Sequence, residues 1–328
     1  MDNERAEKDR GVYSRSVPIE RRRLFVALGA LGSGLAAQGA AATPAPAPAV
    51  APGEFDEHEL EVPGERLARR CLLLVPRSGA KRVVVLFHGL GETTGEAVGI
   101  RAWADRYGLV AAAVRLRRPP VVRTLPGVTF LTDERLAELN TTLAREPFRG
   151  IAVACPFTPN VFKQPSTAVA LDRYATWVTD GLVPELRARL GLGAGPEAVG
   201  VDGVSLGGYV SLEVFLRRPE AFGAAGATQG AIGVNLVDAY AARLEAALER
   251  AGKRPLRFAT SSWDKGRTSS IRLAKKLAAR GVDATLAESP GPHDQRWLCE
   301  VGSLELLLHY DRVLAEAASA VPATRQNP

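Results

Sequence analysis

From residue 55 onward, short apolar runs alternate with longer amphipathic segments, and this rhythm constrains the chain more than any other feature. It predicts β-α-β units around a mostly parallel sheet, because a strand covered on both faces by helices must be apolar throughout. Strands are expected at Glu59–Val62, Cys71–Val75, Val83–Phe87, Ile151–Ala154, Val199–Asp202, Gly223–Thr228, Leu256–Thr260 and Ala284–Leu286. Helices are expected at Ala168–Leu190, either continuous or broken near Gly181, and at Leu206–Arg217, Leu236–Ala251, Ile271–Ala279 and Leu304–Ala317. Within the Leu236 helix, Leu236, Tyr240, Leu244 and Leu248 form one stripe at four-residue spacing.

Residues 92–150 break the rhythm. Arg101–Arg117 reads equally as helix or as helix plus strand, whereas Asp133–Arg145 puts Leu136, Leu139 and Leu143 on one helical face. An excursion of this length between two strong strands is an insertion, a candidate lid or substrate wall.

The N-terminus stands apart from the fold. Arg21, Arg22 and Arg23 precede a Gly- and Ala-rich apolar run, with Ala40, Ala41 and Ala42 as a cleavage site. Residues 1–42 therefore read as a twin-arginine export signal, since the run is interrupted too often to make a spanning helix. The expected location is exported, periplasmic or extracellular, with no stable membrane anchor after cleavage. Alternating Pro and Ala make residues 43–54 a linker, and 55–328 the folded domain. Hydrophobic residues are 46% and charged residues 24%, which excludes fibrous, coiled-coil and wholly disordered classes. The net charge of +6 is scattered, so no nucleic-acid partner is expected. Cys71, Cys155 and Cys299 are too few for a disulfide scaffold; Cys71 and Cys155 lie in apolar runs and are expected as small buried hydrophobes, with one internal bridge among the three as the alternative.

The chemistry centres on Gly203-Val204-Ser205-Leu206-Gly207-Gly208, between a strand and a helix. Small residues on both sides suit a sharp turn that holds a serine hydroxyl clear of the backbone. A G-x-S-x-G pentapeptide arises by chance about 0.1 times in such a chain, so its context carries the weight. Phe87-His88-Gly89-Leu90-Gly91 follows the strand Val83–Phe87, where a glycine-bearing loop can point an N–H at a developing oxyanion. Dinucleotide binding is disfavoured there, because the third glycine of that fingerprint is misplaced. A serine needs an imidazole to take its proton, and the imidazole needs a carboxylate. Asp264 follows the Leu256 strand and His293 the Ala284 strand. Of the four histidines, His88 belongs to the oxyanion loop, His58 lies among charges at the edge and His309 in the last helix, which leaves His293 as the candidate base. Asp294, Asp202 and Asp283 are the competing acids. No metal or organic cofactor is expected: there is no H-E-x-x-H or C-x-x-C, and the histidines are dispersed.

On these residues the chain resembles the α/β-hydrolase fold and, within it, bacterial esterases related to feruloyl esterases and polyhydroxybutyrate depolymerases, over roughly residues 70–310. Further echoes are Trp177 with Leu182-Val183-Pro184, Arg218-Pro219-Glu220-Ala221-Phe222-Gly223, and Gly291 to Trp297. The order Ser, Asp, His, each after a strand, is the order of that fold. The resemblance implies Ser205 as nucleophile, Asp264 as acid, His293 as base and the N–H groups of Leu90 and Leu206 as oxyanion hole, with Gly89, Gly91, Gly203 and Gly207 as motif glycines. It implies an exported serine hydrolase acting on a small-molecule or polymer ester. An acyltransferase and an idle binding module on the same fold are the readings beside it.

Overall fold

The computed structural model describes residues 53–64 and 66–319. The export signal at 1–42 and all but the last two residues of the 43–54 linker lie outside the described residues.

The described residues build an eight-stranded sheet in the order β1-β2-β4-β3-β5-β6-β7-β8. The strands are β1 Phe55–Glu61, β2 Arg70–Pro76, β3 Val83–Phe87, β4 Ala152–Pro156, β5 Val199–Gly203, β6 Ala224–Thr228, β7 Leu256–Ser261 and β8 Ala284–Ser289. Only the pairings β1–β2 and β2–β4 are antiparallel. Every residue of β3, β4, β5 and β6 is buried, as unbroken runs such as Val83-Val84-Val85-Leu86-Phe87 require. The edges behave differently: β1 exposes Asp56, Glu57 and Glu59, charges that discourage pairing with another chain. β1 starts earlier than expected and β8 runs on to Ser289.

The α-helices of more than one turn are α1 Glu96–Arg101, α2 Leu109–Arg117, α3 Asp133–Arg145, α4 Thr167–Thr176, α5 Val183–Leu190, α6 Leu206–Arg217, α7 Val237–Ala251, α8 Arg267–Ala278 and α9 Ser303–Ser319. Arg101–Arg117 contains no strand: a π turn over Ala102–Arg106 ends at Tyr107, Gly108 at φ 69° breaks the helix, and α2 follows. Leu109, Ala112, Ala113 and Leu116 are its buried face, the spacing of a helix. The chain is not broken near Gly181. A π turn over Trp177–Leu182 joins α4 to α5, and widening it accommodates Pro184, which has no N–H for the turn before it.

The 92–150 segment is tied to the C-terminal region by buried polar groups. Glu300, fully buried, accepts the Thr124 N–H at 3.1 Å and Arg115 Nη2 at 3.3 Å. Arg135 pairs with Glu305 through two hydrogen bonds of 2.7 and 2.6 Å, and Ser303 donates to the Tyr107 carbonyl. Cys71 and Cys155, on adjacent strands, are free and buried, and burial pushes both thiols far above their ordinary range.

Candidate active site

Ser205 sits where β5 turns into α6, with φ 57° and ψ −114°. A side chain at positive φ crowds its own backbone, so the conformation persists only because neighbours enforce it. Its N–H donates to the Thr228 carbonyl at 3.0 Å and its carbonyl accepts from the Ala231 N–H at 2.9 Å. The turn is also sterically closed. A Cβ on Gly203 would lie 2.4 Å from the Gly207 carbonyl oxygen, and one on Gly207 would lie 2.1 Å from that of Phe87. Leu206 opens α6, where the first N–H groups have no partner within the helix and favour negative charge.

The second loop is built around His88. Its Nδ1 lies 2.9 Å from the Gly89 carbonyl, and its Nε2 accepts the Thr158 N–H at 2.8 Å. An amide N–H can only donate, so Nε2 is unprotonated and Nδ1 carries the proton. Burial lowers the His88 pKa to about 4, which keeps the ring neutral. With both nitrogens engaged, His88 is a loop support and not a free base. The Gly89 N–H donates to the Tyr107 hydroxyl at 3.1 Å, and that hydroxyl donates to buried Glu92. Gln295 Nε2 reaches Glu92 from the far side at 3.4 Å. This chain fixes the backbone around Leu90, the first residue of a 3-10 turn. Gly91 has open space around it.

Asp264 and His293 meet directly, with Nδ1 to Oδ1 at 2.8 Å. Asp264 also accepts the Gly266 N–H at 2.9 Å and the Thr260 hydroxyl at 2.7 Å. Burial alone would raise its carboxyl; the His293 imidazole and these two donors outweigh it and hold the pKa below the ordinary Asp value. The competing acids are engaged elsewhere. Asp294 accepts the Trp297 N–H as a helix cap, and Asp202 is buried against Arg257. The Asp283 carbonyl pairs with the Leu256 N–H at the opposite end of β7. His309 lies half-buried in α9, where desolvation lowers its pKa to about 3, and His58 is exposed on β1. No hydrogen bond joins the Ser205 hydroxyl to His293 among the described residues. Such contacts are often loose without substrate. No group of three or more His, Cys, Asp or Glu is placed to hold a metal among the described residues.

Sequence reasoning missed Glu92, Tyr107, Thr158 and Gln229. Each acts through a partner distant along the chain, and none lies in a recognisable motif.

The chain is similar in structure to a ferulic acid esterase, with 15% identity, a TM-score of 0.56, and coverage of 79% of this chain and 99% of that one. A feruloyl esterase module from Clostridium thermocellum is 14% identical with a TM-score of 0.51, covering 82% and 92%. An S-formylglutathione hydrolase from Staphylococcus aureus is 13% identical with a TM-score of 0.50, covering 80% and 99%. At these identities the likeness is one of fold. No curated protein matches the chain in sequence. The sequence model of the esterase family, described as "Putative esterase", matches residues 115–327, which span the Ser205 turn, Asp264 and His293. The chain thus belongs to the esterase family and is a carboxylic-ester hydrolase of the α/β-hydrolase fold.

Proposed function

We propose that this protein is an exported serine esterase that works through an acyl-enzyme on Ser205. The observation that carries the reading is the Asp264–His293 hydrogen bond of 2.8 Å, in a chain whose Ser205 is held at φ 57° between β5 and α6. Asp264 takes Nδ1, which leaves Nε2 as the basic nitrogen of His293.

In the first half-reaction Nε2 accepts the Ser205 hydroxyl proton while Oγ attacks the ester carbonyl carbon. The carbonyl oxygen becomes an oxyanion, received by the Leu90 and Leu206 N–H groups. Collapse of this adduct breaks the bond to the alkoxy oxygen, which leaves with the proton from Nε2. Water then attacks the acyl-enzyme with His293 again as base, and Ser205 recovers its proton. Asp264 stays ionised throughout and stabilises the imidazolium. Residues 1–42, with Arg22 and Arg23, support export by the twin-arginine route.

The test is turnover by purified mature protein of p-nitrophenyl esters of increasing acyl length and of a hydroxycinnamate ester. Activity is expected, and Ser205→Ala should reduce kcat at least about 10³-fold while folding normally. A folded Ser205→Ala protein with near-native turnover would refute the assignment.

A further inference from the structure

Two non-glycine residues among those described have positive φ: Ser205 at 57° and Gln229 at 47°. The elbow accounts for the first. Gln229 lies immediately after β6, next to the Thr228 carbonyl that accepts the Ser205 N–H, and it is 1% exposed. Its side-chain Nε2 donates to Ser261 Oγ at 2.7 Å and to the Pro292 carbonyl at 3.0 Å. Ser261 Oγ donates to the same carbonyl at 3.1 Å. A carbonyl can only accept, so the amide must turn its NH2 toward Pro292, and Oε1 is left buried without a partner.

Two unfavourable features therefore meet in one residue, a strained backbone and an unpaired buried oxygen. Filling space requires neither, since methionine would occupy the same volume and glycine would relieve the φ. What the amide does is join three segments. Ser261 lies three residues before Asp264, Pro292 precedes His293, and Gln229 itself extends the strand that holds the Ser205 backbone. Other bonds, from the Trp263 N–H to the Gly291 carbonyl and from the Ser262 N–H to the Ser289 carbonyl, tie the Asp264 loop to the His293 loop but do not reach the nucleophile.

We propose that Gln229 is a positioning residue, whose amide sets the placement of His293 and Asp264 relative to Ser205. The inference rests on the assignment of those three residues as the reacting set. Two variants test it: Gln229→Met keeps the volume and removes the donors, and Gln229→Gly removes the donors and the strain. Each is compared with wild type by thermal melting, by steady-state kinetics on an activated p-nitrophenyl ester, and by fluorophosphonate labelling with mass mapping. The expected result is a fall in kcat of about 10- to 100-fold in both, because misplacement by about 1 Å costs that much, with KM held within about threefold. A folded variant of either kind with kcat within about twofold of wild type would overturn the positioning role, even if its melting temperature falls; should the methionine protein not fold, the glycine protein decides. The label separates the two claims: an adduct on Ser205 with native kinetics in the variants defeats the Gln229 role alone, while a wild-type adduct on another residue defeats the assignment beneath it.

Discussion

Asp264 is more than a partner for His293: the Thr260 hydroxyl and the Gly266 N–H aim its carboxylate before the imidazole arrives. An asparagine there would turn its NH2 toward Nδ1 or lose the contact, leaving His293 in the wrong tautomer. Asp264→Asn should therefore lower kcat by about 10³- to 10⁴-fold. Asp294→Asn should cost less than about tenfold, because asparagine caps a helix as well as aspartate does. Kinetics of both variants on one ester check this, and a reversed ranking would show that the acid is misplaced. The same carboxyl affects stability. Its native pKa lies below the ordinary 3.8, so its contribution is fully present above that value and is lost as pH falls through the native one. The stability gap between wild type and Asp264→Asn, measured by urea unfolding, should shrink between pH 6 and pH 3.

At the scale of elements, the 92–150 segment is held by charge as well as by packing. Arg115 and Glu300 are both largely buried, and removing the carboxylate strands the guanidinium, which burial already makes less basic. Glu300→Ala should destabilise the protein by about 3 kcal/mol in denaturant unfolding, the magnitude expected when one partner of a buried pair is lost. A loss below about 1 kcal/mol would place the pair among those that contribute little. These ties explain what could be read from the sequence. Asp133–Arg145 was legible because one-sided burial writes a helical period into it, and the central strands and Leu206–Arg217 because burial on every side leaves unbroken apolar runs bounded by turn residues. Leu109–Arg117 was ambiguous because its run Leu-Val-Ala-Ala-Ala-Val also suits a buried strand; the place in the sheet beside β3 is taken instead by Ala152–Pro156. The π turns at Ala102–Arg106 and Trp177–Leu182 leave no periodic trace. In the site, Ser205, Asp264 and His293 stood out by turn residues and chain order. His88 and Thr158 meet across 70 positions, and Gln229 reaches Pro292 across 63, so nothing local marks them.

Across the whole molecule, the groups proposed to act lie beyond the carboxyl ends of parallel strands: Leu90 after β3, Ser205 after β5, Asp264 after β7 and His293 after β8. Parallel sheets place ligands at that edge, because loops there are free to vary while the strands hold them in register. The export proposal belongs to this scale as well. Replacing Arg22 and Arg23 by Lys should retain the protein in the cytoplasm, checked by cell fractionation, and unchanged export would contradict it. The central claim is the covalent step at Ser205. Its most direct test is peptide mass mapping of enzyme acid-quenched during turnover of a slowly deacylating p-nitrophenyl ester. The account requires an added acyl mass on the peptide containing Ser205; an acyl group on a different residue, or full turnover with no adduct at any quench time, would contradict it.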